Sequence, residues 1–152
     1  MRRILSGLTV ALLLTVLIGG TATANDGRHC DLRLLDGLYV FTASGFNIPP
    51  TGGSVPKAII ELLRFDGDGG VTTPYTTVSI NGTPITSAPG GNGTYTIAAL
   101  DPPEAVCTGI LRFSDAPNPT FNLVIAPHAE RVWLLQTSPP AVFEGHAVKV
   151  SR

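Results

Sequence analysis

From residue 37 onward the chain alternates between bulky apolar and smaller or polar positions. Tyr39 and Phe41; Ile59, Leu63 and Phe65; Tyr95 and Ile97; Leu111 and Phe113; Phe121, Leu123 and Ile125; and Trp133 and Leu135 all stand at odd positions, an even number of residues apart within each group. A period of two with one apolar face marks a half-buried antiparallel strand. The runs are short, rich in Val, Ile, Thr, Tyr and Phe, and bounded by Gly and Pro, which is strand composition. The pattern predicts eight strands, over residues 37–44, 58–65, 71–80, 93–99, 105–114, 120–126, 131–137 and 141–150.

The links between them carry turn chemistry. Asp66-Gly67-Asp68-Gly69-Gly70 tolerates positive φ and predicts a tight hairpin between the second and third strands. Asn81-Gly82 ends the third strand and Asn92-Gly93 opens the fourth. Pro117, Pro119, Pro127, Pro139 and Pro140 lack the amide proton that a ladder needs and belong between strands. Pro74 falls inside the third strand and marks it as an edge or a bulge. Eight strands with short sequential links predict an all-β domain, a single eight-stranded antiparallel barrel with no open edge. A two-sheet β-sandwich is the alternative.

The start of the chain changes the picture of where such a domain resides. Met1-Arg2-Arg3 is followed by an apolar stretch from Ile4 to Ile18 and then by Ala22-Thr23-Ala24, a small-x-small site. This is the form of a secretory leader, with cleavage expected between Ala24 and Asn25. The stretch is shorter than the ~20 residues that cross a bilayer as a helix. The organisation expected is thus a leader over 1–24, a flank over 25–36 and a barrel over 37–152, in a protein that is periplasmic or secreted. Without the leader the chain holds eight basic and eleven acidic residues, a formal charge of −3 with no basic run. Nucleic acid and anionic membrane surfaces are poor partners for it.

Two cysteines, Cys30 and Cys107, remain after the leader. An isolated pair in an oxidising compartment is expected to bond, tying the flank to the middle of the chain. Closing a loop of that length stabilises by about 4 kcal/mol in the chain-entropy model. With no third or fourth ligand nearby, the pair is not a zinc pattern.

Several phrases taken together resemble small exported bacterial proteins with calycin-like barrels, the lipocalin and allene oxide cyclase-like kind. They are Leu35-Asp36-Gly37-Leu38-Tyr39-Val40-Phe41, Phe65-Asp66-Gly67-Asp68-Gly69, Gly93-Thr94-Tyr95-Thr96, Cys107-Thr108-Gly109 and Val132-Trp133-Leu134-Leu135. Lipocalins carry Gly-x-Trp on the first strand; here Gly37-Leu38-Tyr39 stands in that place, with Tyr for Trp. The resemblance implies the barrel and carries over no catalytic residue.

Few residues offer chemistry. Glu61 lies on the odd face of the second strand with Ile59, Leu63 and Phe65, so an inward-facing carboxylate with a raised pKa is expected. A shifted strand, with Arg64, Ile60 and Leu62 inward, or a place at the barrel mouth would account for it differently. Glu144 and His146 share a face of the last strand and could form an acid–base pair or an outward polar stripe. His29, His128 and His146 show no ligand spacing, so no metal or cofactor is expected. Asp66-Gly67-Asp68 begins like a calcium loop, but Gly70 and Thr77 occupy ligand positions of that pattern. No Gly-x-Ser-x-Gly and no phosphate loop is present.

The leading expectation is a binding module. A small apolar or amphipathic ligand would lie in a barrel lined by Tyr39, Phe41, Glu61, Phe65, Tyr95, Phe113, Phe121 and Trp133. An eight-stranded barrel can equally be filled by its own side chains, which gives the alternative of a structural or interaction protein of the envelope, with 47–56 as its contact loop. A calycin-barrel enzyme using Glu61 or Glu144 with His146 is the third expectation.

Overall fold

A computed structural model describes residues 30–100, 106–115 and 118–152. The expected leader and its cleavage site, His29, Ala105 at the start of the expected fifth strand, and Pro117 lie outside the described residues. Nine strands form among the described residues, β1 (Asp36–Asn47), β2 (Val55–Asp66), β3 (Gly70–Ile80), β4 (Thr83–Ser87), β5 (Asn92–Ala99), β6 (Cys107–Phe113), β7 (Thr120–Ile125), β8 (Arg131–Gln136) and β9 (Ala141–Ser151). All pairings are antiparallel, in the order β2-β1-β9-β8-β7-β6-β5-β3-β4, and a further β2–β3 pairing closes the sheet. The result is the closed eight-stranded barrel the alternation predicts, with β4 added outside it. No helix among the described residues is long and apolar enough to cross a membrane, a statement that says nothing of strands.

The extra strand comes from Asn81-Gly82. Both residues take positive φ, 51° and 81°, so the pair makes a hairpin rather than only ending β3. The returning strand, Thr-Pro-Ile-Thr-Ser, is exposed throughout and shows no alternation, which hid it from a reading based on period.

Turn chemistry acts where expected at Asp66. Its Oδ1 accepts from the backbone N–H of Asp68 and of Gly70, both at 2.8 Å, while Gly67 and Gly69 take φ of 79° and 103°. These bonds hold the exposed carboxyl below the usual carboxylate range. The carboxylate that suggested a calcium loop caps its own hairpin.

Pro74 marks a bulge, one of the two placements its position allows. Leu62 pairs with Tyr75 and Arg64 with Thr72, so Thr73 and Pro74 together face Leu63. The extra residue reverses the inward parity of β3. Val71 and Thr73 are buried before it, and Thr76 lies opposite inward-facing Glu61 after it.

A second parity reversal corrects the sequence reading. β7 buries Phe121, Leu123 and Ile125, and its register pairs Ile125 with Val132 and Leu123 with Leu134. Even positions therefore face inward on β8. Trp133 and Leu135, expected inside, stand on the outer surface, 47% and 51% exposed. The connection sets this. Pro127–Ala129 forms a 3₁₀ turn in which His128 and Ala129 take positive φ, and it returns the chain one residue out of the extrapolated phase. The β8–β9 register is odd again, so Phe143 and Ala147 point inward.

The flank plugs one end. A 3₁₀ turn at Leu32–Leu34 brings Leu35, fully buried, under the barrel, and the Tyr95 hydroxyl donates to the carbonyls of Leu32 and Leu35, both at 2.8 Å. Cys30 is bonded to Cys107 with Cα atoms 5.4 Å apart, so the flank is tied to β6.

Candidate functional site

The barrel interior divides into a filled end and an open end. At the plugged end Phe65 packs edge-on to Tyr39 and to Tyr95, with ring centroids 5.3 and 5.1 Å apart. Such pairs contribute roughly 0.5–1.5 kcal/mol each beyond burial. Burial pushes the Tyr95 hydroxyl up to about 12 and the Tyr39 hydroxyl higher still. The Tyr39 hydroxyl is buried without a hydrogen-bond partner among the described residues. Tyr39, Phe65 and Tyr95 are all buried here, and Leu35 closes the end beneath them.

A second aromatic row crosses the middle. Phe41 meets Phe121 at 6.0 Å and Phe121 meets Phe113 at 6.1 Å, both edge-on. Beyond them a pocket of about 340 Å³ opens toward solvent, lined by Ile59, Glu61, Thr76, Phe113, Phe121 and Phe143 together with Lys57 at the rim. Of the eight expected lining residues, Glu61, Phe113 and Phe121 meet in this pocket. Phe41 is buried just beneath it, Tyr39, Phe65 and Tyr95 fill the opposite end, and Trp133 lies outside the barrel.

Glu61 faces inward as its strand period predicts and is only 7% exposed. Thr76 Oγ1 donates to Glu61 Oε1 at 2.6 Å across the β2–β3 ladder. Burial raises the carboxyl pKa, and the Thr76 hydrogen bond and the Lys57 charge oppose that rise. Lys57 Nζ sits 4.6 Å from the centre of the Phe143 ring, a cation–π distance. Burial pushes its ammonium pKa down, against the pull of Glu61.

One wall is a loop stapled to the β3 bulge. Gly90 N–H donates to the Thr73 carbonyl at 2.7 Å, and both the N–H and the hydroxyl of Thr73 donate to the Gly91 carbonyl at 2.9 Å. A Cβ on Gly90 would collide with Thr73 Oγ1 and lie 2.7 Å from Thr76 Oγ1, the donor to Glu61. Only glycine lets this wall close on the pair. Asp115 fixes the other side of the loop by accepting from the Asn92 N–H at 3.0 Å.

Thr76, Lys57 and Phe143 were not singled out from sequence. Lys57 was legible in the Lys57-x-Ile59-x-Glu61 alternation, and Phe143 in its spacing from Ala147. Thr76 required the parity change at Pro74. Glu144 and His146 stand together on the outer face of β9, both exposed, beside Thr42 and Ser44, with no hydrogen bond between them among the described residues. His128 is exposed in its turn, and no metal-binding cluster occurs among the described residues.

The fold and pocket define a class, a disulfide-tied closed β-barrel with one open, aromatic-lined end. No protein-family model, curated protein or solved structure matches the chain.

Proposed function

We propose that the protein is an exported binding module that holds one small amphipathic molecule in the open end of its barrel. The observation that carries this reading is the construction of the pocket, with Phe113, Phe121, Phe143 and Ile59 on its walls and one buried carboxyl, Glu61, fixed by Thr76. Small-molecule sites are apolar concavities of roughly 300–1,000 Å³ with a few placed polar groups, and this pocket falls within that class. The ligand's apolar body lies on the rings. A hydrogen-bonding group at its inner end meets Glu61, which in its neutral form donates as well as accepts.

The leader-like residues 1–24 support export, as does the bonded cysteine pair, which an oxidising compartment favours. Strand number and order fit the kinship to calycin-like barrels that the turn phrases suggest. The open end favours ligand binding over a barrel filled throughout. An enzymatic role is better served by Glu61 than by Glu144 and His146, which lie outside the barrel.

Titration with Nile red, an apolar fluorophore, tests the reading. Wild-type protein is expected to bind one dye per chain. Phe113→Arg, which places a charge on the pocket wall, weakens binding at least about tenfold, or 1.4 kcal/mol, and the outer-surface change Trp133→Ala leaves it unchanged. Equal binding by wild type and Phe113→Arg, or loss on Trp133→Ala, would sink the proposal.

A further inference from the structure

Simple retention of a ligand makes no use of the amine at the rim. Lys57 lies on the inward face of β2, two inward positions from Glu61, and its Cα partner on β1 is Gly45, which presents no side chain beside it. The amine rests against the Phe143 ring, half-buried, and forms no ion pair among the described residues. Burial pushes the Lys57 ammonium toward losing its proton, against the pull of Glu61 and of the Phe143 ring face, which both favour the charged form. Glu61 in the same pocket is a carboxyl whose burial favours the neutral acid. A nucleophilic amine and a carboxylic acid thus share one apolar cavity.

We propose that Lys57 captures an apolar aldehyde or ketone as an imine in this pocket, with Glu61 serving the dehydration, a proposal that rests on the pocket taking a ligand as described above. The free amine adds to the carbonyl carbon, forming the C–N bond, while the π electrons move to oxygen. A proton passes from nitrogen to that oxygen and gives the carbinolamine. Glu61 then protonates the hydroxyl, the C–O bond breaks, water leaves and the nitrogen lone pair completes the C=N bond. The products are one water and a protonated imine facing the Glu61 carboxylate, with no change in oxidation state. This is the ordinary chemistry of a lysine activated by desolvation. The phenyl rings of the pocket wall select an apolar carbonyl compound.

The chain contains only two lysines, Lys57 and Lys149, which makes the test direct. Lys149 lies near the Tyr39 ring at 5.6 Å and outside this pocket, so it serves as an internal reference. The disulfide-bonded protein is incubated at pH 7 with hexanal and sodium cyanoborohydride, and labelled peptides are quantified by mass spectrometry. Lys57 is expected to be alkylated at least about tenfold faster than Lys149, because only Lys57 shares its pocket with a carboxylic acid that assists dehydration. Lys57→Arg abolishes the fast label, and Glu61→Gln slows it at least about tenfold, a floor beneath the roughly 10²–10⁴-fold that a general acid supplies. Hexanol, which cannot form an imine, displaces Nile red and suppresses the Lys57 label. Equal labelling of the two lysines while hexanol still displaces the dye overturns imine capture and leaves the binding reading standing. Equal labelling with no displacement overturns both, and an unchanged rate in Glu61→Gln removes the assigned role of the carboxyl.

Discussion

Glu61 is a carboxyl on an otherwise apolar strand face, and its ionisation is tied to the stability of the barrel. Its folded pKa lies above the ordinary value of 4.5 because burial penalises the charged form. Below that ordinary value the side chain is neutral in the folded and unfolded chains alike. As pH rises toward and through the folded value, the unfolded chain releases a proton that the folded one holds, so stability is lost across that window. Glu61→Gln keeps an acceptor for the Thr76 hydroxyl and has no proton to release. Its urea midpoint is therefore expected to exceed that of wild type at pH 7, with the difference closing at pH 4. A wild-type midpoint at or above that of the variant at pH 7 contradicts the assignment. The Thr76 bond and the Lys57 charge limit the wild-type loss, which makes the pair of curves more informative than either curve alone.

At the scale of elements, the site depends on one irregular strand. β3 leaves its pairing with β5 after Thr72 and takes up β4 from Thr76, and the Thr73–Pro74 bulge lies between the two partnerships. The gap in the ladder is filled by the Gly90-Gly91 backbone, which satisfies the amide and carbonyl of Thr73. That arrangement turns Thr76 inward and brings the loop against it. Gly90→Ala forces the loop away from Thr73 and Thr76. The expected cost is about 1–3 kcal/mol of stability, as for other overpacked sites, read from chemical denaturation, with a matching loss of Nile red binding. A stable variant with normal dye binding would show that the wall tolerates displacement.

Across the whole molecule, side chains from all eight barrel strands and the flank fill a core with two unlike ends. The plugged end is a packed aromatic stack closed by Leu35 and tied by the Cys30–Cys107 bond; the open end keeps its rings apart around Glu61. Large rings are therefore not equivalent. Phe65→Ala removes the ring that joins Tyr39 to Tyr95 and is expected to cost about 3–5 kcal/mol. Trp133→Ala removes a larger side chain from the outer surface and should stay within about 0.5 kcal/mol. Thermal and urea unfolding of the two variants compare them directly. A larger loss from Trp133 than from Phe65 would place the barrel interior on the opposite parity of β8.

Alternation and turn chemistry determined that the chain is an all-β domain of short antiparallel strands, with a barrel expected and a sandwich as the alternative. They also determined that Tyr39, Phe41, Phe65, Tyr95, Phe121 and Glu61 share the apolar parity of their strands; closure came only with the β2–β3 pairing. Period two follows from the pleat of each strand, a local property that residues carry with them. The phase between strands is not local. It depends on how many residues each connection or bulge consumes and in what conformation, which is why Trp133 lies outside and Thr76 inside despite their local patterns. Which rings fill the core and which line a pocket was likewise decided only in three dimensions, because both kinds of position bury apolar surface. The flank's closure of one end leaves the Lys57, Glu61 and Phe143 end open, and that placement joins residues from opposite ends of the sequence.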